Sequence, residues 1–234
     1  MRLKSYISEG INDKGIFKAV FLAGHPGAGK TWTLSKIKSG SIEPRTVNTD
    51  KLFPLFKKLW NDDWGKIKNT VKQLNIKQLS LYINSMLPLA VDGTANETSV
   101  LLRRSGLLEG FGYDTAMVFI NTSLETAIER TSGRERQVSL DFIKDAYKQI
   151  NKAKSFYRSK FQTWMEVDNN EGELNDKAIL HAFKFMGNFY NSPILNPVGQ
   201  DRVKEMIENQ WKYLDPNIQT LGEISKILGA WYRS

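Results

Sequence analysis

Between residues 20 and 34 the chain reads VFLAGHPGAGKTWTL, and one stretch of it has the residue types and spacing to hold phosphate. Gly24, His25, Pro26, Gly27, Ala28, Gly29, Lys30 and Thr31 fill the pattern G-x-x-x-x-G-K-[ST] at every fixed position. An apolar run precedes the pattern and a helical pattern follows it, the context such a loop needs. Glycines let the backbone curl so that successive N–H groups point inward at phosphate oxygens. The following helix adds its positive end. In that arrangement Lys30 would bridge the β- and γ-phosphates, and the Thr31 hydroxyl would ligate Mg²⁺. A chance glycine turn is the competing reading, and it leaves the flanking strand and helix unexplained. The expectation is a nucleoside triphosphate site, for ATP with Mg²⁺.

Phosphate binding does not name a reaction. A third apolar segment ends in AVDGT, which puts Asp92 where a carboxylate could reach the metal shell. No Glu follows Asp92 directly, and no N-K-x-D-like guanine reader occurs, which leaves a kinase ahead of a motor or a switch. In VNTD, Asp50 falls at a strand's C-terminal end, on the sheet edge where ligands bind in such folds. There it could accept the proton of an attacking hydroxyl or cap the next helix, and position alone leaves both readings open. Arg130, Arg134 and Arg136 surround a Gly-containing loop between two helices. Guanidiniums on a mobile loop can close over a triphosphate, and the bland alternative is a solvated basic loop.

These residues need a scaffold. Apolar runs at 16–23, 45–49, 87–93, 114–121 and 163–169 read as five strands. Helical patterns separate them: one to about residue 39, DKLFPLFKKLW, 64–86, about 96–109, a helix capped by Ser123, one started by Ser139, and one after residue 174. Strands alternating with helices imply a parallel sheet covered on both faces. Two amphipathic helices expected near 200–213 and 219–232 would form an extension packed on that core. Residues 1–190 then make one α/β domain, with a helical insertion at 51–86 and a lid at 130–139, and 191–234 make the extension.

Of the 234 residues, 41% are hydrophobic and 25% charged, a composition that can bury a core, and there are no cysteines. That excludes disulfides, thiolate metal sites and a cysteine nucleophile, and it agrees with a reducing cytosol. With no membrane-length apolar run and no signal-like N-terminus, the chain reads as soluble. The formal net charge of +8 is uneven: residues 1–90 hold 15 Lys and Arg against 6 Asp and Glu. A basic half suggests an anionic partner. His25 and His181 have no metal-ligand neighbours in the sequence and read as ordinary.

In order along the first 170 or so residues, GHPGAGKT, VNTD, AVDGTAN, RRSGLLEGFGYD and VFINTSLETAIERTSGRERQVSLDFIKDAYKQI resemble the 5′-hydroxyl polynucleotide kinases of tailed bacteriophages. More broadly they resemble the zeta-toxin-like P-loop kinases. The resemblance implies a P-loop kinase fold with a five-stranded parallel sheet, and a cytoplasmic location (the host cytosol if phage-encoded). It implies Asp50 as general base, and Lys30 and Thr31 at the phosphates and metal. It implies Arg134 as the lid arginine on the donor phosphates, with Arg130 beside it. The substrate side would fall to Lys51, Arg103 and Arg104 with Lys57 and Lys58. Two departures stand out. The phage kinases carry an acceptor-gripping Arg shortly after the base, where this chain has Phe53 in KLFPLF; and the C-terminal phosphatase domain of the bifunctional end-healing enzymes is not expected here.

The acceptor is read from the insertion, which over 51–90 carries seven Lys against Asp62 and Asp63. Lys57, Lys58, Lys66, Lys68, Lys72 and Lys77 could track a phosphate backbone while Trp60 or Trp64 stacks on a base. The competing picture is an amphipathic helix with its lysines in water and its tryptophans in the core. The leading expectation is a kinase of a nucleic-acid hydroxyl, at a 5′ end or on a modified base, with DNA ahead of RNA. A kinase of a nucleotide sugar or other small metabolite, and a non-catalytic ATP-binding module, stay open.

Overall fold

The computed structural model describes residues 14–37, 42–48, 52–60, 63–93, 95, 97–132, 139–170 and 176–213. Five parallel strands, β1 (Lys18–Ala23), β2 (Arg45–Val47), β3 (Leu89–Asp92), β4 (Asp114–Asn121) and β5 (Thr163–Asp168), form one sheet in the order β2-β3-β1-β4-β5. The helices are α1 (Lys30–Ile37), α2 (Phe53–Leu59), α3 (Trp64–Asn84), α4 (Thr98–Gly110), α5 (Leu124–Ser132), α6 (Leu140–Lys160), α7 (Asp176–Asn191) and α8 (Pro197–Tyr213). The fold class expected from the alternating pattern is the one observed.

Burial explains the layering. β1 is central and buried at all six positions, as a strand covered on both faces must be. Its side chains alternate between two cores. Ala19, Phe21 and Ala23 join Leu89, Val91, Met117 and Phe119 on one face, against Ile83 of α3, Leu101 and Leu108 of α4, and Ile150 and Tyr157 of α6. Val20 and Leu22 join Ala90, Val118, Ile120 and Val167 on the other, against Leu34 of α1 and Ala182, Met186 and Phe189 of α7. Helix starts follow local chemistry: the Ser123, Ser139 and Asp63 side chains accept from the backbone N–H groups of Thr126, Phe142 and Lys66.

α8 begins at Pro197 and docks at the strands' N-terminal ends. Ile194, Val203 and Met206 pack against the first core, and Arg202 donates to the Phe111 carbonyl at 2.9 Å. A Cβ on Gly199 would sit 2.3 Å from the Gly112 carbonyl oxygen, so only glycine permits this approach. The second helix expected at 219–232 lies outside the described residues. Among the described residues no helix is long and apolar enough to cross a membrane.

Candidate functional site

The phosphate-type loop runs from the end of β1 into α1, at the sheet edge formed by the strands' C-terminal ends. Gly27 has φ +85°, and a Cβ there would sit 2.5 Å from the Ala127 carbonyl oxygen, which only glycine avoids. Ala28 is fully buried and joins the α1–α7 core, so the loop is pinned at its middle. Its carbonyl accepts from the Asn169 side-chain amide at 2.6 Å and from the Thr122 hydroxyl at 3.4 Å. Lys30 Nζ folds across the loop and donates to the carbonyls of Gly24 (2.6 Å) and His25 (3.1 Å). The ammonium thus lies over the same backbone whose N–H groups would face an anion.

Three polar side chains from three elements meet beside the loop. Thr31 Oγ1, at the start of α1, donates to Asp92 Oδ2 at the end of β3, 3.3 Å away. Asn48, just past β2, donates to the same carboxylate oxygen at 2.7 Å. A hydroxyl and a carboxylate make a hard oxygen pair suited to Mg²⁺, which takes one or two protein oxygens and completes its shell with phosphates and water. Thr31 and Asp92 fit that ion, and Asn48 fixes the carboxylate's direction. Among the described residues no group of three or more His, Asp or Glu could hold a metal by protein ligands alone, so the ion would come with its phosphate.

His25 is buried, with its ring turned inward rather than toward the loop's mouth. Nε2 lies 2.7 Å from the Thr122 carbonyl oxygen and Nδ1 3.1 Å from that of Pro26, and the ring packs on Tyr147 of α6 at 5.0 Å between centroids. Desolvation holds its pKa below the usual histidine value, and the Lys30 ammonium pushes the same way, against the two carbonyls. The neutral ring carries one N–H, which it donates to one of these two carbonyls. Any contact of His25 with phosphate would come from its backbone.

The remaining expected residues fall as follows. Arg130, on α5, donates to the Asn169 carbonyl at 3.0 Å, past the end of β5. Arg104 Nη1 lies 3.9 Å from where a Cβ on Gly93 would be, which brings the guanidinium to the exit of β3 beside Asp92. Arg103 is exposed on α4 and Lys57 is exposed on α2. Asp50, Lys51, Arg134, Arg136 and the side chains of Phe53 and Lys58 lie outside what is described. Sequence reasoning missed three contributors: Asn48, which stood unremarked inside VNTD, and Thr122 and Asn169, polar residues one step past β4 and β5. That last placement was the available signal, since ligands in such sheets bind at strand C-terminal ends.

The insertion departs from the picture of an amphipathic helix with buried tryptophans. Trp64 is 47% exposed. Trp60 is half-buried, stacks on Phe56 at 5.0 Å and has Lys66 Nζ 5.1 Å over its ring. Only Ile67, Val71 and Ile83 of the described α3 side chains are buried, while Lys66, Lys68, Lys72 and Lys77 face solvent on a helix with no acidic residue.

No protein-family model matches the sequence, and no curated protein does. Solved structures do match in fold. One is a protein of Chloroflexus aurantiacus provisionally assigned as a kinase, at TM-score 0.54 and 13% identity over 74% of this chain and 97% of that one. Another comes from the PezAT chromosomal toxin–antitoxin system of Streptococcus pneumoniae, at TM-score 0.50 and 16% identity over 88% and 92%. Deoxyadenosine kinase from M. mycoides, solved with dATP, aligns at TM-score 0.48 and 16% identity over 73% and 99%. At such identities the likeness is one of fold: the chain has the α/β architecture of P-loop kinases.

Proposed function

We propose that this chain is an ATP-dependent kinase that passes the γ-phosphoryl group to a hydroxyl of a nucleic acid, at a 5′ end or on a modified base. The observation that carries the reading is the meeting of Lys30, Thr31 and Asp92 at one sheet edge. The nucleoside triphosphate with its Mg²⁺ supplies the transferable group when bound. The loop's N–H groups and Lys30 hold its phosphate oxygens, while Thr31 and Asp92, the latter steadied by Asn48, fix the ion. Asp50 lies two residues past Asn48, and its role is to take the proton from the incoming hydroxyl. Arg134, with Arg130 beside it, offsets charge from the lid side. On the acceptor side, the exposed lysines and half-open aromatics of α2 and α3 supply cations and stacking faces for a polynucleotide strand. Lys51, Lys57, Lys58, Arg103 and Arg104 add to that cationic surroundings.

The test is transfer of labelled γ-phosphate from ATP to DNA and RNA oligonucleotides and to a nucleotide sugar, by the wild type and by Asp50→Asn. The expected result is label on the oligonucleotide and a kcat lower by about 10²–10⁴ in the variant. Label on the nucleotide sugar alone would replace this reading with that of a metabolite kinase. An unchanged phenotype in Asp50→Asn, alongside its loss in Lys30→Ala, would favour a non-catalytic ATP-binding module.

A further inference from the structure

The edge of β2 and the C-terminal half of α3 flank a half-open cavity of about 240 Å³. It is joined to the phosphate site through one residue. Asn48 lines it and also donates to Asp92 Oδ2, the carboxylate oxygen that accepts from Thr31. A ligand seated here therefore lies one side chain from the metal-type pair.

The lining states the chemistry of its occupant. The volume is below the roughly 300–1,000 Å³ of pockets for drug-sized molecules, so it takes about one ring system. Tyr82, Leu52 and Pro44 offer apolar faces, while Gln78, Asn48, Glu43 and Arg45 offer donors and acceptors. Glu43 and Arg45 carry opposite charges, which suits a neutral group with both kinds of hydrogen-bonding edge better than a phosphate. Gln78 already donates to the Tyr82 hydroxyl at 2.6 Å, which leaves its amide oxygen to accept.

The geometry points to this cavity as the seat of the acceptor's terminal nucleobase, with the strand's phosphates trailing past exposed lysines of α3. The assignment rests on the kinase reading for its acceptor, while the base pocket itself does not depend on transfer. The wall residues Gln78 and Tyr82 and the exposed Lys66, Lys68, Lys72 and Lys77 belong to one helix, so base and backbone contacts are held in fixed relation.

Two measurements test it. The first is calorimetric titration of the full chain, without ATP, with deoxyadenosine, thymidine and glucose. The nucleosides bind and glucose does not; Gln78→Leu and Tyr82→Leu each weaken nucleoside binding about 3- to 10-fold. The second is transfer to an oligonucleotide whose terminal residue lacks its base. Its KM is about tenfold higher than that of the intact oligonucleotide in the wild type, the difference shrinks in Tyr82→Leu, and the KM for ATP is the same throughout. Nucleoside binding without transfer to any oligonucleotide would sink the proposed reaction and leave the pocket standing. No nucleoside binding, equal binding of glucose, or indifference to both substitutions would overturn the pocket.

Discussion

The two ends of the central sheet are built on opposite principles. At the strands' N-terminal ends Lys18 is 1% exposed, and its three ammonium protons find three acceptors: Asp114 at 2.6 Å, the Ser192 hydroxyl at 3.0 Å and the Pro193 carbonyl at 2.7 Å. Asp114 is saturated in turn, since Oδ2 also accepts from Leu195 N–H and Oδ1 from Asn196 N–H. The Asn196 amide then donates to the carbonyls of Glu109 and Tyr113. At the C-terminal ends, by contrast, Lys30 rests on carbonyls, and the buried Asn169 amide oxygen lacks a partner among the described residues. One end closes its hydrogen bonds internally and fastens the chain past α7. The other keeps polar capacity in reserve, which costs stability and suits a site that must receive a ligand.

Breaking the closed end should give the largest effect. Lys18→Met removes the buried cation of the pair and leaves half-buried Asp114 with only the Leu195 and Asn196 N–H groups, a loss of about 3–5 kcal/mol. At roughly 2–4 °C per kcal/mol in a chain of this size, Tm falls by about 6–20 °C. Phosphoryl transfer per folded molecule, measured well below Tm, stays as in the wild type. Lys30→Ala does the reverse, with transfer falling by about 10²–10³ while Tm holds within about 1 °C. If Lys18→Met reduced transfer at full folding, the separation of the two ends would be wrong.

A single methyl group added at each end sharpens the contrast. Gly199→Ala forces a Cβ against the Gly112 carbonyl and costs about 1–3 kcal/mol of stability, read as a lower Tm at unchanged KM for ATP. Gly27→Ala forces a Cβ against the Ala127 carbonyl at positive φ, and a displaced loop raises the KM for ATP by about 10- to 100-fold through strain of similar size. Equal changes in Tm and KM in both variants would show the two ends to be mechanically coupled.

The strands and the loop were legible because their signals are local. Buried parallel strands read as continuous apolar runs, and the glycines of the loop sit where the backbone needs them. Lys18 shows where local reading stops. Inside IFKAVFLA it looks like a polar interruption, and its partners lie 96, 174 and 175 residues away. Asn48 and Asp92 are 44 residues apart and meet only because β2 and β3 are neighbours, an order that periodicity does not encode. The tryptophans of the insertion were ambiguous for a related reason: α3 packs on the sheet's edge, so fewer of its side chains find a core than its apolar content suggests.

The smallest expected effect concerns His25, which links the loop to the exit of β4 and to α6. Because its folded pKa lies below the unfolded value near 6.5, the ring is neutral in both states at higher pH and contributes its full stability there. As pH falls through 6.5 the unfolded chain takes up the proton first, so stability is lost on acidification until the folded ring also protonates. His25→Gln keeps a side-chain N–H for the Thr122 carbonyl and removes the titration. The difference in Tm between wild type and variant should therefore shrink or reverse as pH drops from 7.5 to 5.5, with the KM for ATP at pH 7.5 changed by no more than about threefold. A pH-independent difference would mean that His25 acts through its shape against Tyr147 and not through its neutral ring.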